Sequence, residues 1–582
     1  MTPMSKLLTA CVISLTIGGE FAANAATLPQ LPQRQVDVTM PTVTGLTLNA
    51  TCATLQAQLI AAAALNVNLT HRIILATGTT CTGPYKLPSH NGGTGWILIT
   101  GPNMANLPPS GTRVGPNDTS LMPVIKYGDD GGFHVGMFHA DTGAQRYRII
   151  GISMIQDSTM SPNWSFIVMG YHEINALNTG YIIVDRCVLR DTDINHPTRQ
   201  GIFMNAERGN TAIIDSYVSG IKDVGRGSDT QAVLSTANPG PILLQNSFLQ
   251  ASGENVMLGG GGTPSDAVQP RDITIRLNTF DKDPAWVSGG QTLIKTLFEL
   301  KEGQRVLIEG NDFLNMPWDD GGAVFRLTVR GQGGETWNDV SDVTIRHNLF
   351  KNISNFINSF GSDDFYVAKH SKRWHIHNNL IYGLGWSCFP GSTCGSFYSI
   401  MDGATTNGCT DPTPTCKMED LTIAHNTVDD VRDRLLCTTV NGHIGLDFRD
   451  NLINLNSGRG VFDCGGSTSV NFGSARLSEA WGATWTWTNN RITTFSISGE
   501  SDAGYPQGTN TYPSSYQSFL WTNRATRDYT LLTGSPAKGA ASDGTDQGVN
   551  FSAYNAARAG GGGGGADLTP PATPQNVNIT IN

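Results

Sequence analysis

One frame of apolar and polar positions returns along most of the chain: apolar, any, apolar, two polar residues, an amide or small residue, any, apolar. It falls on Ile273, Ile275, Asn278 and Phe280, then on Val306, Ile308, Asn311 and Phe313, then on Val343, Ile345, Asn348 and Phe350. Later copies put Asn379, Asn426, Asn451 and Asn490 at the amide position; upstream, Cys187, Ser216 and Ser247 stand there. Successive copies lie mostly about thirty residues apart, which is the signature of a solenoid. Second apolar runs such as Asn255–Leu258, Thr296–Leu300 and Ala323–Val329 lie between them, closed by Gly, Asn and Asp turns. Two or three short strands per period predict an all-β chain wound as a parallel β-helix. An asparagine at the same bend of every rung can hydrogen-bond along the stack, so these amides are expected to be scaffold.

The alanine- and leucine-rich stretch 50–64 predicts a helix that caps the open end of the coil. Residues 1–26, with Lys6, the apolar run Leu7–Ile17 and a small-residue ending, read as a secretory signal peptide. The expected organisation is then an N-terminal cap with first coils over 27–145, the β-helix over 146–550, and a Gly-rich linker and tail over 551–582. The tail from Thr569 is similar to the opening of a fibronectin type III module, which implies a lost C-terminal fusion partner.

No later stretch is apolar enough for a membrane span. The 67 glycines and 15% charged residues suit a turn-rich exported β protein. A formal net charge of −10 excludes a nucleic-acid footprint and disfavours a polyanionic ligand unless basic residues gather locally. Outside the signal, Cys52/Cys81, Cys388/Cys394, Cys409/Cys416 and Cys437/Cys464 are candidate disulfides for an oxidising compartment, though the four between 388 and 416 can pair otherwise. Cys187, at the amide position, is expected to be a buried free thiol.

The ruler frame, the segment Thr80–Pro88 and the closing Gly534–Gly539 resemble bacterial secreted right-handed parallel β-helix proteins of the pectate-lyase-like superfamily. Within it, Phe298–Lys301, Val306–Phe313 and Phe325–Arg330 resemble the order of strands in the alginate lyase and chondroitinase B family. That family usually carries Ser after its catalytic Lys and His-Gly after its Arg; here Glu302 and Gly331-Gln332 stand there. The resemblance implies an enzyme that cleaves an acidic, uronate-containing polysaccharide by β-elimination.

Strand parity points to the same residues. If Phe298 and Leu300 face the coil interior, then Lys295, Leu297, Glu299 and Lys301 face out; if Phe325, Leu327 and Val329 face in, Arg326, Thr328 and Arg330 face out. Lys301 is then the candidate base for C5 proton removal, with Arg330 and Arg326 stabilising the enolate or the leaving group. Lys295 is a candidate substrate-binding residue, and Trp318 and Trp337 are candidate sugar platforms, as are Trp286 and Trp386. Asp229, Glu254 and Glu299 are candidate ligands for Ca²⁺. The plain alternative is that Glu299 and the nearby cations form an ion-pair ladder between rungs.

Two other functions stay open. Asp429-Asp430 with Gly442-His443 faintly resembles polygalacturonase-type hydrolases, where paired carboxyl groups act as acid and base. A non-catalytic carbohydrate-binding or surface-structural β-helix is the other. Asp319-Asp320 and Asp363-Asp364 read as turns, and His347, His375, His377 and His425 as structural.

Overall fold

A rung must turn its backbone three times, and each turn has to satisfy the polar groups it buries. In the computed structural model the described residues are 26–559, excepting 129–135, 157–162, 171–177, 193–197, 224–226, 228, 289–291, 320–321, 332–333, 364, 389–393, 401–416, 457–458, 464–471, 494–495 and 498–499. They form three long parallel sheets of 14, 13 and 12 strands. Sheet 1 runs from Thr47–Ala50 to Trp485–Thr488, sheet 2 from Thr80–Thr82 to Arg491–Ile492, and sheet 3 from Tyr85–Leu87 to Arg459–Asp463. Each rung visits them in that order, and every strand pairs in parallel with its counterpart one rung away. This is a parallel β-helix.

The corner from sheet 1 to sheet 2 is a two-residue turn. Its first residue takes positive φ, as at Leu277 (59°), Gly310 (68°), His347 (57°), Asn378 (53°) and His425 (53°). Its second is the ruler amide, fully buried at Asn311, Asn348 and Asn379. Left-handed backbone costs a non-glycine residue about 1–2 kcal/mol, and the amide ladder offsets that cost. Asn348 Oδ1 accepts from the backbone N–H of Asn311 (2.9 Å) and from its Nδ2 (3.0 Å). Its own Nδ2 donates to the Ile308 carbonyl (2.9 Å) and to Asn379 Oδ1 (3.1 Å). The same pattern repeats through Asn426, Asn451 and Asn490 and ends on Asn510, one step beyond the sequence ruler. Ser216 and Ser247 hydroxyls replace the amide upstream, and Cys187 is buried and free, its thiol pushed up to about 12 by burial. Inside the coil, Phe280, Phe313 and Phe350 stack at 4.5 and 4.9 Å between ring centres.

The ends depart from the expected boundaries. Helix Leu55–Ala63 buries Leu55, Leu59 and Ala62 in the main core. Residues 26–46 precede the first strand and run outside the coil, with Gln30 bonded to Asp342 and Gln33 to Asp272. At the other end the last sheet 1 strand closes at Thr488, well short of 550. The chain then returns along the sheet 1–sheet 2 corner: Ser542 bonds Asp450, Val549 bonds Thr427, and Asn550 bonds Asn378. Residues 551–559, expected to open the linker, instead form helix Phe551–Ala559, because Tyr554 is buried and Arg558 reaches Asp312 and the Asn311 carbonyl. Cys52–Cys81 and Cys388–Cys394 are disulfides, and Cys437 is disulfide-bonded too. The signal segment 1–25, Cys409, Cys416, Cys464 and the tail beyond 559 lie outside the described residues.

Replacing Asn348 by Ala strands the Asn311 N–H and the Ile308 carbonyl in the core. The expected loss is about 3 kcal/mol, read as a lowered denaturation midpoint, with Asn348→Ser losing less because a hydroxyl serves the upstream rungs. A loss below about 0.5 kcal/mol contradicts the ladder's role.

Candidate functional site

Sheet 3 holds Glu299 and Arg326 on two adjacent rungs, with Lys301 and Arg330 just past their strands and Glu254 one rung earlier. Strand Thr296–Leu300 pairs with Ala323–Thr328, which sets Phe298 beside Phe325, Glu299 beside Arg326 and Leu300 beside Leu327. The pairing continues past both strands, since the Arg330 N–H donates to the Lys301 carbonyl at 3.1 Å. Lys301 and Arg330 are thus backbone neighbours across one rung step. Phe298, Leu300, Phe325 and Leu327 are fully buried in the coil, while Lys301, Arg326 and Arg330 are half-buried. Leu297 breaks the expected alternation: it is fully buried with the core. The position is buried on the following rungs too, since Val324 and Phe356, which stand in line with Leu297, are also fully buried.

The cations do not stand as an unopposed basic cluster. Lys295 Nζ lies 2.7 Å from Asp229 and 3.6 Å from Glu254, and Lys301 Nζ lies 3.5 Å from Glu299. Burial alone would lower the Lys295 ammonium, but Glu254, Asp229 and Glu299 together hold it above its ordinary range. Glu254 is fully buried, with Oε2 accepting from Gln231 at 2.7 Å. Burial, then Glu299 and Asp229, push its carboxyl up to about 7. The Ca²⁺ reading does not fit these residues. Lys295 occupies the place between Asp229 and Glu254, and among the described residues no three acidic, His or Cys side chains are grouped to hold an ion. No step is derived through calcium.

Several residues at the site were invisible as such in the sequence. Lys282 is fully buried and donates to the carbonyls of Ala251, Ser252 and Gly253 at 2.7, 2.9 and 2.6 Å; burial holds it well below the usual lysine range. Glu302, beside Lys301, is also fully buried, and burial pushes its carboxyl up to about 8. The Thr263 hydroxyl donates to Glu302 Oε2 in a short contact and lies 3.1 Å from the Thr236 carbonyl. Glu302 Oε1 accepts from Asn338 Nδ2 at 2.8 Å, and the same Nδ2 donates to the Arg330 carbonyl at 2.6 Å. Glu302 and Asn338 therefore position both backbone neighbours, and the one signal was the departure from Ser after Lys301.

Arg330 carries a second surprise. Its guanidinium lies over the rings of Phe365 (4.8 Å) and Phe360 (5.7 Å). Phe365 is 61% exposed and Tyr366 41%. Asp363, read as a turn residue, fixes this loop by accepting from the N–H groups of Gly331, Phe365 and Tyr366 at 2.7, 2.8 and 3.2 Å. The exposed aromatic beside Arg330 is thus Phe365, followed in the chain by the exposed Tyr366, whereas Trp318, Trp337, Trp286 and Trp386 are half-buried and Trp286 packs on the core.

The hydrolase residues do other work. Asp429 is fully buried and takes Tyr529, Arg524 and Asn454, each at 2.8 Å, while Asp430 pairs with Arg432 at 2.6 Å. His443 is buried against Thr438 and Trp481 and pushed down to about 3 by burial. These groups anchor chain segments and present no open pair of carboxyl groups. His375 and His377 stack at 3.9 Å on sheet 1, not on sheet 3, with His347 at 6.0 Å from His377.

The raised Glu302 gives a signed expectation. Folding keeps a proton that the unfolded chain releases above its ordinary value of 4.5, so the native state loses stability as pH rises from there to about 8. Glu302→Gln keeps both contacts without the proton. It should melt at least about 3 °C above the parent near pH 9 and level with it near pH 4; the reverse order contradicts a protonated Glu302.

No protein-family model matches the chain, and no curated protein matches it. Solved structures resemble it weakly. An alginate lyase from a Paenibacillus species is 14% identical, with 72% of this chain and 98% of that chain covered and a TM-score of 0.29. A mannuronic acid specific polysaccharide family 6 lyase from human gut microbiota is 10% identical (80% and 91% covered, TM-score 0.38). A surface adhesin of Streptococcus pneumoniae is 12% identical (70% and 87% covered, TM-score 0.37). Similarity of this size carries no argument about activity, and the parallel β-helix rests on the strand pairing itself.

Proposed function

We propose that this chain is an exported, polysaccharide-active β-helix that cleaves a uronate-containing glycan by β-elimination at Lys301 and Arg330. The observation that supports the reading is the backbone bond from Arg330 to Lys301, which makes a base candidate and a planar cation backbone neighbours on adjacent rungs. In the proposed step the uronate carboxylate lies against Arg330, and the Lys301 side-chain nitrogen takes the C5 proton. The freed electron pair forms the C4–C5 double bond as the C4–O4 bond breaks, and the departing oxygen takes a proton from water. Arg326 and Lys295 add positive charge along the glycan, and Phe365 with Tyr366 offers ring faces for a neighbouring sugar. The two disulfides support an oxidising destination.

The ion pair between Lys301 and Glu299 favours a second reading, a non-catalytic acidic-glycan binder, in which the lattice of paired charges is the recognition surface. The two readings separate cleanly. Incubated with alginate, pectate, glucuronan and glycosaminoglycans, with and without calcium, the catalytic protein yields an unsaturated, ultraviolet-absorbing product from at least one. Lys301→Ala and Arg330→Ala each lower that rate by at least about 100-fold while the melting temperature holds. Glycan retention with no unsaturated product selects the binder, and neither retention nor product defeats both. Phe365→Ala should raise KM by about tenfold, with a smaller change in kcat, from the loss of one stacking contact of about 1.4 kcal/mol.

A further inference from the structure

The corner from sheet 3 to sheet 1 carries a charged ladder unrelated to the ruler. On five successive rungs its residues are Asp272, Arg305, Asp342, Arg373 and Asp420, all at positive φ between 53° and 58°. Arg305 grips Asp272 at 2.6 and 3.2 Å, and Arg373 grips Asp342 at 2.7 Å through both nitrogens. The acids therefore recur every second rung, each with one side left for another donor. Gly445, with no side chain, ends the ladder after Asp420, and the Gly240-Pro241 corner precedes Asp272.

The donors come from one short segment. Gln33 N–H bonds Asp272 at 3.0 Å and Gln30 N–H bonds Asp342 at 2.9 Å, and Thr27, three residues further back, faces Asp420 and favours its charged form. Arg34 closes the series on Asp272 and the Pro239 carbonyl, both at 2.6 Å. The sequence here is a tandem repeat, Leu28-Pro29-Gln30 and Leu31-Pro32-Gln33. Proline biases such a segment to polyproline II, where three residues make one turn and advance about 9.3 Å. Two rungs of parallel sheet advance about 9.6 Å. A three-residue repeat thus presents one N–H, on the same side, to every second rung; an ordinary β-strand would turn alternate groups to opposite sides. The outward positions agree, since Leu28 and Leu31 are 54% and 44% exposed, and Gln33 Nε2 links back to Gln30 Oε1 at 3.1 Å.

We propose that this corner is a binding track for extended, proline-containing peptide, that it recognises the phase of one three-residue repeat per two rungs, and that residues 27–34 are its ligand in cis. The segment clasps the rungs of Asp272 to Asp420 from outside. Its recognition groups are the Asp carboxylates and not the peptide's side chains, so spacing matters more than residue identity at Leu28 and Leu31.

Phase is tested in the full-length chain by inserting residues after Gln30 and following backbone hydrogen exchange over 27–33. One added Ala should leave Gln33 protected and cut the protection of Thr27 and Gln30 at least about tenfold. An added Leu-Pro-Gln should restore protection, with the new Gln on Asp342 and the former Gln30 on Asp420. Equal protection in the two variants, or equal loss, overturns the proposal; the exchange of the sheet amides in both reports that the coil itself is intact.

Discussion

The constraint on which the rest of the structure depends is that a coil of parallel strands must bend sharply while burying the bend. Each sheet 1–sheet 2 corner puts backbone donors and acceptors where water does not reach, and an unpaired buried group costs more than the bond it lacks. The asparagine ladder answers this with one side chain per rung, which accepts from one neighbour and donates to the other. Because every amide serves two rungs, the register of each rung is tied to the next. The pairing of Glu299 with Arg326 and the adjacency of Lys301 and Arg330 are consequences of that register on a different sheet.

The chain ends use the remaining corners. The N-terminal segment occupies the sheet 3–sheet 1 corner from Asp420 to Asp272, and the C-terminal segment lies along the sheet 1–sheet 2 corner from Asp450 to Asp312. Loop residue Arg113 takes up that second corner further along, bonding the carbonyls of Asn246 and Leu277 at 3.0 Å. The two corners flanking sheet 1 are thereby engaged by the chain itself, and the candidate site lies on sheet 3, where Lys301, Arg326, Arg330 and the exposed Phe365 and Tyr366 gather.

Most of the fold could be read from the apolar frame, because its period follows from strand length and turn geometry, both local. The frame failed where local rules meet tertiary contact. Asn510 continues the amide ladder without the flanking apolar frame, and Leu297 enters the core at a position that Val324 and Phe356 also bury on the next rungs. Residues 551–559 lack a strong helical pattern and become helical by docking on the corner at Asp312. At the site, parity placed Lys301 and Arg330 together but could not assign Asp229, Glu254 and Glu299 between an ion and the neighbouring lysines, since that depends on distances across rungs. Glu302, Asn338 and Lys282 were illegible for a related reason: their roles depend on burial and on partners far along the chain.

The central claim is that the face joining the rungs of Lys301 and Arg330 receives an acidic glycan. The most direct measurement is a crystal structure of the Lys301→Ala variant soaked with a short uronate oligosaccharide. The account predicts a sugar carboxylate within hydrogen-bond reach of Arg330 and a ring stacked on Phe365 or Tyr366. Ordered glycan on another face, with no sugar carboxylate at Arg330, would contradict it.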